Sequence, residues 1–180
     1  MATDAGHSEF EGPDPAPVGT ANAPVASARW LADEMLGRLA RYLRFLGHDT
    51  AYVRGLKDAE VVDLARRESR VLLTRDRALA HRVPGALLLT SPQLKEQFRA
   101  VRRAFPEVTF EVRFDRCTLC NGTLEPTRPP GKGDEALRAA ASSDARPTFD
   151  CTECGHRYWE GSHTARVRRD IAQWIAEDVP

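Results

Sequence analysis

All four cysteines of the 180-residue chain fall into two C-x-x-C pairs, Cys117/Cys120 and Cys151/Cys154. A C-x-x-C pair on a tight turn aims two thiolates at one point. Two such turns close a four-coordinate Zn²⁺ shell with no position left for substrate. The last third of the chain therefore reads as a small zinc ribbon whose metal is structural, and any chemistry has to lie upstream. Disulfides are the competing use of such cysteines, but they suit secreted chains. The first 27 residues contain no Lys or Arg with which to begin a secretory signal. No apolar run reaches membrane-spanning length, so the expectation is a cytoplasmic protein with no membrane partner.

Hydrophobic patterning divides the chain further. Residues 1–27 are rich in Pro, Ala, Gly, Ser and Thr and have almost no large apolar groups, which predicts a disordered tail. Residues 28–109 alternate short apolar runs with helical periods. Strands are expected at Arg29–Ala32, Thr50–Val53, Val71–Thr74 and Ala86–Thr90. Helices are expected at Glu34–Leu46, stopped by Gly47, at Asp58–Arg67 with Asp58 as cap, at Arg77–Arg82, and at Pro92–Ala104 with Ser91 as cap and Pro92 in the first helical position. Strands alternating with helices through short links predict an α/β fold, a parallel sheet flanked by helices. The ribbon then occupies 110–163, with a Pro/Gly-rich loop inserted at 126–147 whose Leu137–Ala141 stretch has some helical character. Residues 164–180 carry Val167, Ile171, Trp174 and Ile175 at helical spacing, which predicts a C-terminal helix docked on the body.

In a parallel sheet, residues that follow the strands collect along one edge. Asp33 follows the first strand, Asp58 opens the helix after the second and Asp76 follows the third, with Glu34 beside Asp33 as a further candidate. Carboxylates brought together repel one another unless a divalent cation neutralises them, and hard oxygen ligands suit Mg²⁺ or Mn²⁺. A cation so held can activate water toward a phosphodiester. Helix capping is the competing role for Asp58 and Asp76, whereas Asp33 is harder to explain as a cap.

The segments Leu31-Ala32-Asp33-Glu34-Met35-Leu36-Gly37-Arg38-Leu39-Ala40-Arg41-Tyr42-Leu43-Arg44, Leu73-Thr74-Arg75-Asp76, Cys151-Thr152-Glu153-Cys154-Gly155 and Tyr158-Trp159-Glu160-Gly161-Ser162-His163 occur in this order. Together they resemble the Mut7-C family, proteins with a PIN-like ribonuclease domain followed by a zinc ribbon. The resemblance implies a PIN-like sheet, a divalent-metal-dependent endoribonuclease and RNA as substrate, with Asp33, Asp58 and Asp76 as the metal-binding acids and Glu34 or Glu60 as supplement. A PIN-like site usually has a further acid after its next strand; here that strand runs into Thr90-Ser91-Pro92.

The whole chain is neutral, but residues 28–111 carry five more basic than acidic groups, a mild preference for a polyanion and not the footprint of a dedicated nucleic-acid binder. Arg38 and Arg75 lie nearest the acids in sequence and are candidates for binding phosphate; Arg41 and Arg44 read as a solvated helix face, and Arg66, Arg67 and Arg70 as an ordinary helix C-terminal cluster. On the ribbon, Trp159 could stack on a base or pack between ribbon and core, and His163 could contact phosphate or form a buried cap. The leading expectation is an RNA endonuclease, with a non-catalytic RNA- or ribosome-binding adaptor as the alternative. A phospho-accepting receiver domain is disfavoured because no Lys follows a strand opposite the acids.

Overall fold

The computed structural model describes residues 28–113, 115–127 and 147–178. The expected amino-terminal tail and most of the inserted loop, including Leu137–Ala141, lie outside the described residues. The chain runs β1 (Trp30–Ala32), a 3-10 turn (Glu34–Leu36) leading directly into α1 (Gly37–Phe45), β2 (Thr50–Tyr52), α2 (Asp58–Arg67), β3 (Val71–Thr74), α3 (Arg77–Arg82), β4 (Leu87–Leu88) and α4 (Leu94–Ala104). The ribbon strands follow, β5 (Leu124–Pro126), β6 (Thr148–Cys151) and β7 (Arg157–Trp159), and then α5 (Ser162–Ala176).

The first four strands form one sheet in the order β2-β1-β3-β4, all parallel, with Trp30 opposite Thr50 on one side and Val71 on the other. Strand side chains alternate between two cores. Trp30, Ala32 and Leu73 pack with α1, α4 and α5, while Leu31 and Leu72 pack with α2 and α3. This is why β1 is apolar and buried at every position, as a parallel strand covered on both faces must be. The crossover through α1 lies on one face and the crossover through α2 on the other, so the chain changes direction around β1. The crevice at that reversal opens beyond the carboxyl ends of β1 and β3.

Three local expectations are corrected. The first helix opens with a tight 3-10 turn because the Asp33 carboxylate accepts from the Met35 N–H, so Asp33 is a cap after all. Asp58 is not a cap: Lys57 occupies that position, and Glu60 accepts from the Lys57 N–H at 2.7 Å. At α4 the cap position belongs to Gln93, not Ser91. The Ser91 hydroxyl accepts from the Gln93 N–H at 3.1 Å, closing a turn just ahead of the helix. The helix α5 starts two residues before the expected Thr164 and buries Val167 and Ile171 in the core shared with α1 and α4.

The antiparallel sheet β5-β6-β7 belongs to the ribbon, which docks at the amino-terminal end of β2. Asn121 directly follows the first C-x-x-C. Its side chain accepts from the Thr50 N–H at 2.9 Å and donates to Asp49 at 2.7 Å. Asp49 is held in turn by Arg70 at 2.8 Å and Arg29 at 3.1 Å. Burial alone would raise the Asp49 carboxyl, but the hydrogen bonds from Arg70, Asn121 and Arg29 hold it down at about 2. Arg70 is therefore a buried tie and not part of a solvated helix end. Arg44 also departs from expectation. It is 6% exposed and donates to Thr50 O, Thr118 O and Leu119 O at 2.8, 3.2 and 2.9 Å, joining β2 to the cysteine turn.

Candidate active site and metal centre

Asp33, Glu34, Asp58 and Asp76 line one shallow cleft of about 100 Å³ at the sheet reversal, with Met35, Val53, Gly55, Leu56, Val61 and Leu79. The fold thus brings together all four acids expected from the sequence. Their environments differ. Asp33 is buried, and its carboxylate accepts from the Thr74 hydroxyl, from the Arg75 N–H at 3.2 Å and from the Met35 N–H at 3.0 Å. Asp76 is exposed and uses one oxygen to cap α3 through the Leu79 N–H at 2.9 Å. Asp58 is exposed and pairs with Arg82 at 3.3 Å. Glu34 accepts from the Gly55 N–H at 3.3 Å.

Sequence reasoning missed Thr74. It is fully buried at the end of β3, and its hydroxyl donates to Asp33 while accepting from the Asp76 N–H at 2.9 Å. One hydroxyl therefore fixes both strand-end acids relative to each other. The available signal was its place two residues before Asp76, where a Thr closes a short side-chain turn. Around the cleft the positive charge is not neutralised. Arg54, beside Val53 and Gly55, and Arg77, beside Asp76, make no ion pair or side-chain hydrogen bond among the described residues. The Arg75 Nε is buried without a partner. Two large apolar side chains, Met35 and Leu56, are 56% and 42% exposed at the same rim.

The four acids suit a hard cation by donor type. Among the described residues, however, they do not form a set of three whose oxygens lie within 4.8 Å, whereas the cysteines do form such a set. Mg²⁺ usually keeps several of its waters, so carboxylates spaced around a cleft can still hold it through them.

The sulfurs of Cys117, Cys120, Cys151 and Cys154 all lie within 4.8 Å of one another, with Cys117 to Cys154 at 3.7 Å and Cys120 to Cys151 at 3.4 Å. A tetrahedron with Zn–S bonds of ~2.3 Å has edges of about 3.8 Å, so the donor set fits zinc. The protonation pattern agrees. Burial opposes ionisation of Cys117, yet the Tyr158 hydroxyl at 3.0 Å and nearby N–H groups draw its thiol down to about 6. Burial and the neighbouring sulfurs push Cys120 up to about 12. Four sulfurs at this spacing cannot all ionise until a cation joins them. Tyr158 also accepts from the Thr118 N–H at 3.1 Å, so it positions the first ligand from outside the cluster.

The two remaining ribbon candidates are not at the acid cleft. Trp159 is 56% exposed and does not pack between ribbon and core. His163 is exposed and rests on Phe45 with ring centroids 6.0 Å apart, so it is not a buried cap. Both lie at the ribbon end of α1, whereas Arg38 is exposed in its first turn, which follows Asp33 and Glu34 in the chain, and does not itself line the cleft. A larger hollow of about 570 Å³ lies between α4 and the end of α5, but its Arg102 and Arg103 are already neutralised by Asp178.

Fold and sites together define a doubly wound parallel α/β domain with acids at its reversal point and a zinc-ribbon module at the opposite edge. Residues 28–171 match the Mut7-C RNAse domain family, and the chain belongs to that family, a nuclease-related one. It is 30% identical over 161 residues to the Homo sapiens protein described as "Exonuclease mut-7 homolog". That match covers 75% of this chain but 18% of the human protein. No solved structure matches the chain significantly. No described helix is long and apolar enough to cross a membrane.

Proposed function

We propose that the chain is a divalent-metal-dependent endoribonuclease that hydrolyses RNA phosphodiesters at the cleft of Asp33, Glu34, Asp58 and Asp76. The observation that carries this reading is the pairing of that acid cleft with Arg54 and Arg77, cations without a partner of their own among the described residues that adjoin its lining residues in the chain. Acids alone repel a phosphate. Acids beside unneutralised guanidiniums form a place where a cation and a phosphodiester can be held together. A Mg²⁺ or Mn²⁺ bound by Asp33, Asp58 and Asp76 would supply charge neutralisation and activation of water. The protein's own groups do the positioning. Thr74 locks Asp33 and the Asp76 loop. Asp76, with one oxygen on the Leu79 N–H, keeps the other for orienting a water. Arg38 and Arg75 counter the charge that builds on the phosphate oxygens.

The human relative is named an exonuclease, and its matched share is small. An internal mode of cutting is favoured here because Glu34, Asp58 and Asp76 are all exposed on a shallow cleft that a strand can cross without presenting an end. The test is cleavage of linear and circular single-stranded RNA by the zinc-loaded protein in Mn²⁺ or Mg²⁺. Asp76→Asn and Asp58→Asn are the variants of choice because both side chains are exposed, whereas Asp33 is tied into the fold. Cleavage of the circle, lost in both variants, is expected; cleavage of linear RNA alone would mean an exonuclease. The adaptor reading keeps one observation in its favour, the three donors already committed to Asp33. RNA binding without cleavage in any divalent cation would favour it.

A further inference from the structure

We propose that single-stranded RNA bound at the acid cleft continues over the outer face of α1 and the first half of α5 and ends with a base stacked on Trp159. The proposal rests on the nuclease reading and adds a second contact surface on the ribbon side of the molecule.

Two helices build the surface. α1 and α5 run in opposite directions and are pinned twice, by Tyr42 stacked on Trp174 at 5.3 Å with its hydroxyl on Asp170 at 3.3 Å, and by Phe45 against His163. Arg38 and Arg41, one helical turn apart, lie on the exposed side of α1. Arg166 of α5 lies, with Arg38, within electrostatic reach of the Tyr42 hydroxyl, and Arg169 follows one turn later. None of these four guanidiniums has an ion pair or hydrogen bond among the described residues. By contrast, the Arg residues of α4, and Arg157 and Arg168 of the ribbon and α5, are neutralised by carboxylates. The acids near the strip are already engaged, Asp170 by Tyr42 and Glu160 by Arg168. Among the described residues, unpaired positive charge therefore continues from the first turn of α1 along this strip.

The line ends at an aromatic. Trp159 closes β7 three residues before the start of α5 and is 56% exposed, while the other indoles are buried or stacked. An exposed indole at the end of a cationic strip selects for a strand whose bases are free to stack, which excludes a duplex. From Asp33 through the 3-10 turn and α1 to Phe45 the span is about 20 Å, a few nucleotides of extended strand. Short RNA would meet only the cleft, and longer RNA would meet both ends.

The experiment uses the full zinc-loaded chain in Ca²⁺ to suppress cleavage, and measures binding of oligouridines from about 3 to about 12 nucleotides, within the site sizes usual for such grooves. Affinity should climb with length and then level off, and long oligomers alone should quench the Trp159 emission, assigned with Trp159→Phe. Arg41→Gln combined with Arg166→Gln removes two phosphate contacts and should lower the salt slope for the long oligomer by about 1.4. Length-independent affinity, an unchanged salt slope or an unquenched indole overturns the track. So does an acidic peptide that senses both substitutions when RNA does not. Absence of RNA binding at any length would instead overturn the nuclease reading on which the track rests.

Discussion

Arg44→Leu tests how the zinc module is attached. The guanidinium is almost fully buried and supplies hydrogen bonds to three carbonyls on two separate segments, Thr50 of β2 and Thr118 and Leu119 of the first cysteine turn. Leucine fills part of the volume and satisfies none of them. The Leu119 side chain is 53% exposed, so water can reach that end of the site, whereas Thr50 is fully buried and its carbonyl stays dry. With about 1–3 kcal/mol for each buried acceptor left without a donor, the loss is about 3 kcal/mol. For a chain of this size that lowers the melting temperature by roughly 10 °C. Arg41→Leu, three residues earlier on the exposed face, should stay within about 0.5 kcal/mol of wild type. Arg44→Lys should fall between, because one ammonium cannot reproduce the forked geometry. The assays are thermal unfolding of the zinc-loaded protein and the rate of zinc transfer to a chromophoric chelator. An Arg44→Leu protein that melts with wild type and releases zinc no faster would refute the attachment.

Thr74→Val removes the donor to Asp33 and the acceptor of the Asp76 N–H in one step. It should cost about 2 kcal/mol in urea unfolding and reduce cleavage beyond the folded fraction lost. Gly122→Ala would place a Cβ 2.9 Å from Cys151 Sγ and 3.0 Å from Glu153 Cβ. Zinc affinity, read by chelator competition, should fall at least ~10-fold, as for other groups that set ligand orientation. Burial, aided by repulsion from Arg113 and opposed by the Thr109 carbonyl, holds the His48 imidazole below its ordinary 6.5. The folded protein thus keeps His48 neutral while the unfolded chain takes a proton. Its contribution is complete above about pH 6.5 and declines as the pH falls below that value. In His48→Gln this part of the pH slope should be missing from urea titrations between about pH 7 and 5.

The sequence was most informative where punctuation and period agree. α2, β3 and α3 occupy their expected bounds, with Asp76 at the start of α3 and the positive-φ Ser69 between α2 and β3. β4 shrank to two residues because pairing with Leu73 and Thr74, not apolar content, sets its length. The acids were legible because a parallel sheet gathers the residues that follow its strands. The ties at the opposite edge were not, since Arg44, Asp49 and Asn121 have partners 71 to 75 residues away in the chain. One signal was available: Arg44 follows Ala40 by four residues and Leu43 by one, so it continues the buried stripe of α1. Reading it as surface gave charge more weight than period.

The position of the cysteines determines how their loss should be interpreted. β2 is a three-residue edge strand, too short to hold its place by ladder bonds alone. At its start the Thr50 N–H is taken by Asn121 of the cysteine turn. At its end the Tyr52 hydroxyl donates to Glu34 O at 3.0 Å, and Val53 N–H donates to Ala32 O at 3.1 Å, both beside the acid cleft. Metal loss at one edge therefore reaches the acids through a single strand. Cys151→Ser should lower melting temperature and RNA cleavage together, which on activity alone would look like loss of a catalytic metal. The two roles separate when cleavage is expressed per folded molecule at low temperature and in excess Mn²⁺. A structural zinc predicts that this value stays near wild type, while total cleavage recovers as osmolyte restores the folded fraction. A value that stays near zero in fully folded Cys151→Ser protein would mean that the thiolate site takes part in the chemistry.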